Sequence, residues 1–248
     1  MIDKSLVKKR FKKSLKTYND NAFAQKQTAA ELIKLLPSLN FNLVLEIGCA
    51  TGILTSEIKN NINFKTFTAN DLVEDSKKYI DKIIPSNTFI AGDIEEITLE
   101  KKYDLIISNA CLQWCCDIEK TILKLYDSLK DNGVLAVSIF GDENLNEIKN
   151  TFKIENKMYT INQLKEFFKR FSNCKIKEES LKLEFDSPVD VLKHLKLTGV
   201  NAVKELKLTK TALKRFEEEY NKHYGNNGRV TLTYNPVYAV IIKHCGIV

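Results

Sequence analysis

Apolar residues recur at Val7, Phe11, Leu15 and Tyr18 with lysines between them, a spacing that predicts an amphipathic helix over 7–18, broken by Asn19 and Asp20. Good helix formers over 22–36 run up to Pro37, so two helices precede the first strand. Short apolar runs then fall at 43–47, 65–69, 88–91, 103–108 and 134–140, separated by helix-like segments. Unbroken runs such as Leu105-Ile106-Ile107 predict strands buried on both faces, hence a parallel sheet covered by helices. Lys130-Asp131-Asn132-Gly133 predicts a turn into the fifth strand.

Past Gly141 the alternation weakens. Helices are predicted over 161–171, 188–197 and 209–223, an alternating segment over 175–185 and a closing strand over 229–242, in which Asn235-Pro236 predicts a bulge or an edge position. The expectation is an α/β fold: a Rossmann-like, doubly wound, mostly parallel seven-stranded sheet with N-terminal helices and an added helical lid.

Composition narrows this only slightly. With 44% apolar and 28% charged residues the chain is expected to form a packed core. Its longest apolar runs are far too short for a bilayer, and lysines interrupt every secretory-like stretch near the start, which points to a cytoplasmic protein. A basic organellar presequence stays open. Cys49, Cys111, Cys115, Cys116, Cys174 and Cys245 form no CxxC pair and have no His at ligand spacing, so they read as reduced thiols with no metal, adjacent Cys115 and Cys116 as small buried hydrophobes. The net charge of +6 suits an acidic partner, a nucleic acid, a membrane surface or an acidic carrier protein; a lysine-rich composition is the plainer source of it.

The chemistry starts at Val44-Leu45-Glu46-Ile47-Gly48-Cys49-Ala50-Thr51-Gly52, a strand entering a glycine-bearing turn and then a helix. Glycines allow close backbone approach, and Glu46 is a charge poorly suited to a structural strand end. The dinucleotide pattern GxGxxG fails, because Ala50 and Ile53 stand at its second and third glycines. This segment resembles motif I of the class I S-adenosylmethionine methyltransferases, with Ala50 replacing the usual middle glycine. The resemblance implies S-adenosyl-L-methionine as cofactor, Glu46 facing its amino-acid end, and Gly48, Cys49 and Gly52 around its sugar. Two further acids end the next strands. Asp71, with Leu72 beside it, suits two ribose hydroxyls; Asp93 and the amide of Ile94 suit the adenine edge. On this view the domain comprises a helical cap over 1–40, a cofactor-binding core over 41–141, lid helices and a sixth strand over 142–228, and the last strand over 229–248.

Four further segments resemble the malonyl-carrier-protein O-methyltransferases of biotin synthesis: Phe11 with Thr17-Tyr18-Asn19 and Ala22 to Gln25; Ser108-Asn109 with Leu112-Gln113-Trp114; Leu195-Lys196 with Gly199-Val200-Asn201; and Gly228-Arg229 with Leu232-Thr233-Tyr234. The resemblance implies methyl transfer to the free carboxylate of malonyl-acyl carrier protein or malonyl-CoA. A carboxylate with a pKa near 4 is ionised at neutral pH and needs no general base. Tyr18 and Gln25 are expected to fold over the cofactor with Asn109 beside it, Gln113, Trp114 and Tyr234 to line the substrate pocket, and Arg229 to grip the carboxylate bidentately, Tyr18 and Arg229 being the catalytic pair. Lys4, Lys8, Lys9, Arg10, Lys12, Lys13 and Lys16 form a positive tract that either steers an acidic carrier protein or is a solvated helix face. Other readings left open are a methyltransferase for another carboxylic acid or small metabolite, a basic nucleic-acid-binding protein on the same scaffold, and a noncatalytic cofactor-binding subunit. No membrane partner is expected, and nucleic acid is disfavoured.

Overall fold

The computed structural model describes residues 2–154, 159–199 and 209–244. In chain order the elements are α1 (Lys4–Ser14), α2 (Tyr18–Asn21), α3 (Phe23–Lys34), β1 (Leu43–Ile47), α4 (Ile53–Asn61), β2 (Thr66–Asp71), α5 (Lys77–Ile83), β3 (Thr88–Ala91) and β4 (Tyr103–Asn109). They continue as α6 (Ile118–Asp127), β5 (Leu129–Phe140), α7 (Asn146–Phe152), α8 (Ile161–Phe168), β6 (Cys174–Glu178), β7 (Leu181–Phe185), α9 (Pro188–Leu197), α10 (Lys210–Tyr224), β8 (Gly225–Asn226), β9 (Arg229–Tyr234) and β10 (Pro236–Ile242).

The main sheet has seven strands in the order β3-β2-β1-β4-β5-β10-β6. Strands β1 to β5 pair in parallel, and β10 runs antiparallel between β5 and β6. The chain winds outward from β1 through β2 to β3, then returns to place β4 on the other side of β1. That reversal opens a crevice at the strand tips, where open α/β sheets bind ligands. Val44, Leu45, Ile47, Leu105, Ile106 and Ile107 are buried, and the two faces of the sheet pack into separate apolar clusters under the helices. Local chemistry sets the helix starts: Asp3, Asp117, Ser187 and Thr209 each accept a backbone N–H at a helix start, and Thr160 with Gln163 forms a reciprocal capping box.

Several boundaries differ from expectation. The first amphipathic helix ends at Ser14, and Asn19 and Asp20, expected to break it, lie inside the short α2. The turn expected at Lys130 to Gly133 is an irregularity inside β5, with Asn132 at φ 60°. The alternating segment over 175–185 is two strands, β6 in the main sheet and β7 in a second, three-stranded sheet ordered β7-β9-β8. The closing run is likewise two strands: β9 belongs to the small sheet, the chain crosses over at Asn235, and β10 is internal to the main sheet rather than at an edge. Pro236 is tolerated because it is the first residue of that strand. The region expected as a helical lid is a small sheet with helices: Val191, Leu195, Phe216, Tyr220, Val230, Leu232 and Tyr234 form a third apolar cluster between them. Val200, Asn201 and Cys245 lie outside the described residues.

Candidate active site

A cleft holding about 730 Å³ of space, counted out to and including open solvent at its mouth, sits at the tips of β1 to β4, where open α/β sheets bind ligands. Each strand tip contributes in turn: Gly48 and Ala50 after β1, Asn70 and Asp71 at the end of β2, Gly92 and Asp93 after β3, Asn109 and Ala110 at and after β4. The opposite wall is the leading helical segment, where Tyr18 was expected and the rest of its apolar stripe was not. Val7, Phe11, Leu15 and Tyr18, the apolar stripe of the leading helix, all line the cleft, so that stripe faces a cavity.

The turn after β1 is stiffened from within. The amides of Gly48 and Cys49 donate to the Asn70 carbonyl at 2.9 and 3.1 Å, and the Ala50 amide donates to Asp71 Oδ2 at 2.7 Å. Gly48 has φ 72°, and a Cβ there would lie 2.2 Å from Cys111 Sγ. Ala50 holds a positive φ of 46° without glycine's freedom, so the departure from the usual glycine is accommodated as local strain that these bonds hold. Asp71 also accepts the Val73 amide at 2.7 Å through Oδ1. Each of its oxygens thus keeps one lone pair for a ligand hydroxyl. Burial raises the Asp71 pKa, opposed by the Val73 and Ala50 amides and the Ser76 hydroxyl.

Glu46 is the least comfortable group in the fold. It is buried, Thr55 Oγ1 donates to its Oε2 at 2.6 Å, and its Oε1 has no partner. Burial pushes its pKa up to about 8, the Thr55 hydroxyl pulling down and the Asp71 carboxylate adding to the rise. A buried carboxyl with one unpaired oxygen is costly unless something cationic completes it.

Other expected site residues divide clearly. Tyr18, Gly48, Asp71, Leu72, Asp93, Ile94, Asn109 and Trp114 line the cleft; Gln25, Glu46, Cys49, Gly52, Gln113, Tyr234 and Arg229 do not. Gln25 lies one layer back, its backbone carbonyl accepting from Asn109 Nδ2 at 2.9 Å and its own Oε1 unpaired. The Cys49 side chain joins the apolar core on the sheet face. Gly52, at φ 85°, serves helix packing: a Cβ there would meet Ile83 Cδ1 at 2.2 Å. Gln113 Nε2 donates to the Ala110 carbonyl at 2.7 Å, turning back on its own loop.

Tyr234 is fully buried in the third apolar cluster, its hydroxyl 2.8 Å from His194 Nε2. Arg229 is exposed, with Nη1 2.7 Å from Glu184 Oε2 and Nε 3.4 Å from Asp186 Oδ1. Those carboxylates hold it on the surface of the small sheet, away from the residues that line the cleft. Cys116 is exposed, against the expectation that both members of the Cys115-Cys116 pair are buried; Cys49, Cys111, Cys115, Cys116 and Cys174 are free thiols.

The sequence reading missed Lys4, Asn70 and Cys111 as cleft residues. Asn70 Nδ2 donates to the carbonyls of Ile90 and Gly92 at 2.9 and 3.1 Å, locking the β2 and β3 tips together; its place beside Asp71 was the available signal. Lys4 carried no such signal. The basic tract is also less uniform than expected: Lys4 turns inward and Lys12 pairs with Asp75 at 2.8 Å, while Lys8, Lys9, Lys13 and Lys16 are exposed. Among the described residues no cluster of metal-ligating side chains is present, and no helix is long and apolar enough to cross a membrane.

A reversed parallel sheet, a glycine turn after its first strand and carboxylates at the next two tips define a Rossmann-like α/β domain with its ligand cleft at the switch point, and similarity to known methyltransferases makes it a methyltransferase domain. A family described as methyltransferase domain matches residues 45–137. Among solved structures, the Bradyrhizobium japonicum N-methyltransferase NodS in complex with S-adenosyl-L-homocysteine superposes with a TM-score of 0.57 at 14% identity, covering 96% of this chain and 98% of that one. The YcgJ protein of Bacillus subtilis gives a TM-score of 0.60 at 12% identity, covering 89% of this chain and 99% of that one. Curated relatives are much nearer in sequence. The malonyl-[acyl-carrier protein] O-methyltransferase of Calditerrivibrio nitroreducens is 39% identical over 96% of each chain, and that of Chlorobium luteolum 33% identical over 98% of this chain and 97% of its own. The chain belongs to the malonyl-[acyl-carrier protein] O-methyltransferase family, and its cofactor is S-adenosylmethionine.

The cleft fits that cofactor on its own chemistry. Asp71, on the cleft wall, retains acceptor sites for a pair of ribose hydroxyls, and the unpaired Oε1 of Glu46, which does not itself line the cleft, is a buried acceptor that a cationic group could complete.

Proposed function

We propose that this enzyme transfers the methyl group of S-adenosylmethionine to the free carboxylate of malonyl-acyl carrier protein, giving the methyl ester that enters biotin synthesis in the cytoplasm. The observation that carries this reading is similarity along almost the whole chain to curated enzymes of that name. Malonyl-CoA presents the same carboxylate and is the small-molecule form of the acceptor.

The bound cofactor supplies an electrophilic sulfonium methyl. The chain's residues have the remaining tasks of positioning the acceptor, excluding water and leaving the nucleophile unprotonated. A malonyl carboxylate is ionised at neutral pH, so no base is asked of the cleft. Burial raises the Tyr18 phenol well above its usual range, the Cys111 thiol and Asp71 carboxylate adding to the shift, so Tyr18 stays a neutral donor. Tyr18 and the Trp114 indole can hydrogen-bond a carboxylate without the charge neutralisation a guanidinium would impose. Val7, Phe11 and Leu15 make the wall beside them apolar and keep water out.

The decisive test is mass spectrometry of malonyl-loaded carrier protein after incubation with enzyme and S-adenosylmethionine. One added methyl, removed by mild ester hydrolysis, is expected. If malonyl carrier protein and malonyl-CoA both stay unmodified while another carboxylic acid is methylated, the acceptor is wrong.

A further inference from the structure

The mechanism leaves Lys4 without a role, although it is the cationic side chain among the described residues that line the cleft. Its Nζ lies 3.1 and 3.0 Å from the two oxygens of Asp93 and 2.5 Å from Glu95 Oε2, with only 24% of the side chain exposed. The carboxylates are fixed independently. Asp93 Oδ1 accepts the Glu95 amide at 3.0 Å, and Glu95 accepts the amides of Cys116 and Asp117 at 2.8 Å each. They form a rigid two-carboxylate socket at the β3 tip, and Lys4 is the plug.

The far end of α1 is held differently. Thr17 Oγ1 donates to the Leu197 carbonyl at 2.9 Å, and Gly199 packs so closely on Ser14 that an added Cβ would sit 2.7 Å from its hydroxyl oxygen. The helix breaks between these points, after Ser14. Between the fixed end and the socket, Lys12 makes one exposed ion pair with Asp75, and Phe11 lies edge-on to Trp114 at 5.7 Å. Exposed pairs hold weakly, whereas Lys4 is half-buried between two anions.

We propose that Lys4 is a positioning residue that clasps α1 shut over the cofactor cleft, so that cofactor and product leave only when the Lys4 ion pairs open. This rests on the cofactor assignment, but the clasp has a readout of its own. Trp114 is the single tryptophan of the chain and touches α1 through Phe11, so its emission reports closure with no cofactor present. The screening length shrinks to about 3 Å at 1 M salt, which weakens these partly exposed ion pairs in part, less than it would a surface pair. Raising salt is expected to red-shift Trp114 emission in the wild type. Lys4→Met, which keeps the alkyl stem and loses the charge, is expected to be red-shifted already at low salt and unresponsive thereafter. S-adenosylhomocysteine dissociation, followed by stopped flow, should be about tenfold faster in Lys4→Met, which corresponds to 1.4 kcal/mol. Lys4→Arg should restore both signals, and Lys65→Met, an exposed lysine at the opposite end of the sheet, should leave both unchanged. Wild-type emission and a wild-type dissociation rate in Lys4→Met overturn the clasp. A Lys4-dependent emission change in a protein that binds no S-adenosylhomocysteine upholds the closure of α1 and overturns the cofactor assignment instead.

Discussion

Gly48 and Gly228 share nearly the same left-handed backbone, φ 72° and 77°, yet a Cβ added to the first would lie 2.2 Å from Cys111 Sγ and one added to the second would meet nothing within 4 Å. The contrast extends to the regions they belong to. The cofactor half of the cleft is built from backbone, with amides and carbonyls of consecutive strand tips bonded to one another and to Asp71 and Asn70. The region of the small sheet, which does not line the cleft, adds ties between side chains of distant segments, His194 of α9 on Tyr234 of β9 and Arg229 of β9 on Glu184 of β7. A backbone-built site tolerates little change in shape. A side-chain-built region tolerates substitution but answers to protonation.

The largest effect is expected where that shape is broken. Gly48→Ala adds left-handed strain of about 1–2 kcal/mol to an overpacking cost of about 1–3 kcal/mol, so cofactor affinity measured by calorimetry should fall by roughly a hundredfold or more. Gly228→Ala meets only the strain and should leave affinity unchanged while lowering stability by about 1 kcal/mol. Equal losses of affinity at the two glycines would erase the distinction between the regions.

Protonation separates the two regions in opposite directions. Burial lowers the His194 pKa to about 4, below the unfolded value near 6.5. The stability this supports is present above about pH 6.5 and is lost as pH falls toward 4, by at most about 3 kcal/mol. Glu46 runs the other way. Its pKa is raised by burial to about 8, against about 4.3 unfolded, so its contribution is intact below that value and lost as pH rises through 8. The two windows overlap, so between about pH 4.3 and 6.5 the slopes nearly cancel and the wild-type urea midpoint should fall mainly from about pH 6.5 to 8, whereas it should fall from about pH 4.3 in His194→Gln and rise up to about pH 6.5 in Glu46→Gln. A curve unchanged in both variants would sink the argument.

Within the cleft, Tyr18→Phe tests whether a neutral donor suffices for the acceptor. A hydrogen bond to a charged group contributes about 1.5–3 kcal/mol, so turnover of malonyl thioester should fall by roughly 10- to 100-fold with S-adenosylhomocysteine affinity within about twofold. If cofactor affinity falls equally, Tyr18 belongs to the cofactor wall alone.

How much could be read from the chain follows the same divide. Glu46, Asp71 and Asp93 were legible because a strand end is a local feature, and once strands are ordered their tips must share one edge of the sheet. The Val7, Phe11, Leu15, Tyr18 stripe was legible as one face, but periodicity cannot say whether that face meets a core or a cavity. The small sheet was hidden because 175–185 and 229–242 each read as one alternating run: the break at Glu179-Ser180 carries a single weak turn residue, and the stronger signal of Asn235-Pro236 also fits a bulge within one strand. Lys4 was illegible altogether. Its partners lie 89 and 91 positions on, and nothing in a lysine-rich tract marks which member turns inward.

Arg229 is where this limit mattered most, and it gives the smallest expected effect. Chemical type alone made it the natural grip for a carboxylate, since a guanidinium suits bidentate recognition better than any lysine nearby. Its surroundings argue against that role: its side chain is half exposed, and Glu184 and Asp186, 57% and 88% exposed, already take its donors. A substrate carboxylate would have to displace two resident ones and draw the side chain off the small sheet. Exposed pairs of this kind add little to stability. Arg229→Ala should therefore change kcat and KM for malonyl thioester by less than about twofold, and the small loss in urea midpoint should be matched by Glu184→Ala without adding to it in the double variant. A rise in KM of more than tenfold in Arg229→Ala alone would mean that the region of the small sheet rearranges on substrate binding to bring Arg229 in. The neutral-donor account of Tyr18 and Trp114 would then give way to an ion pair.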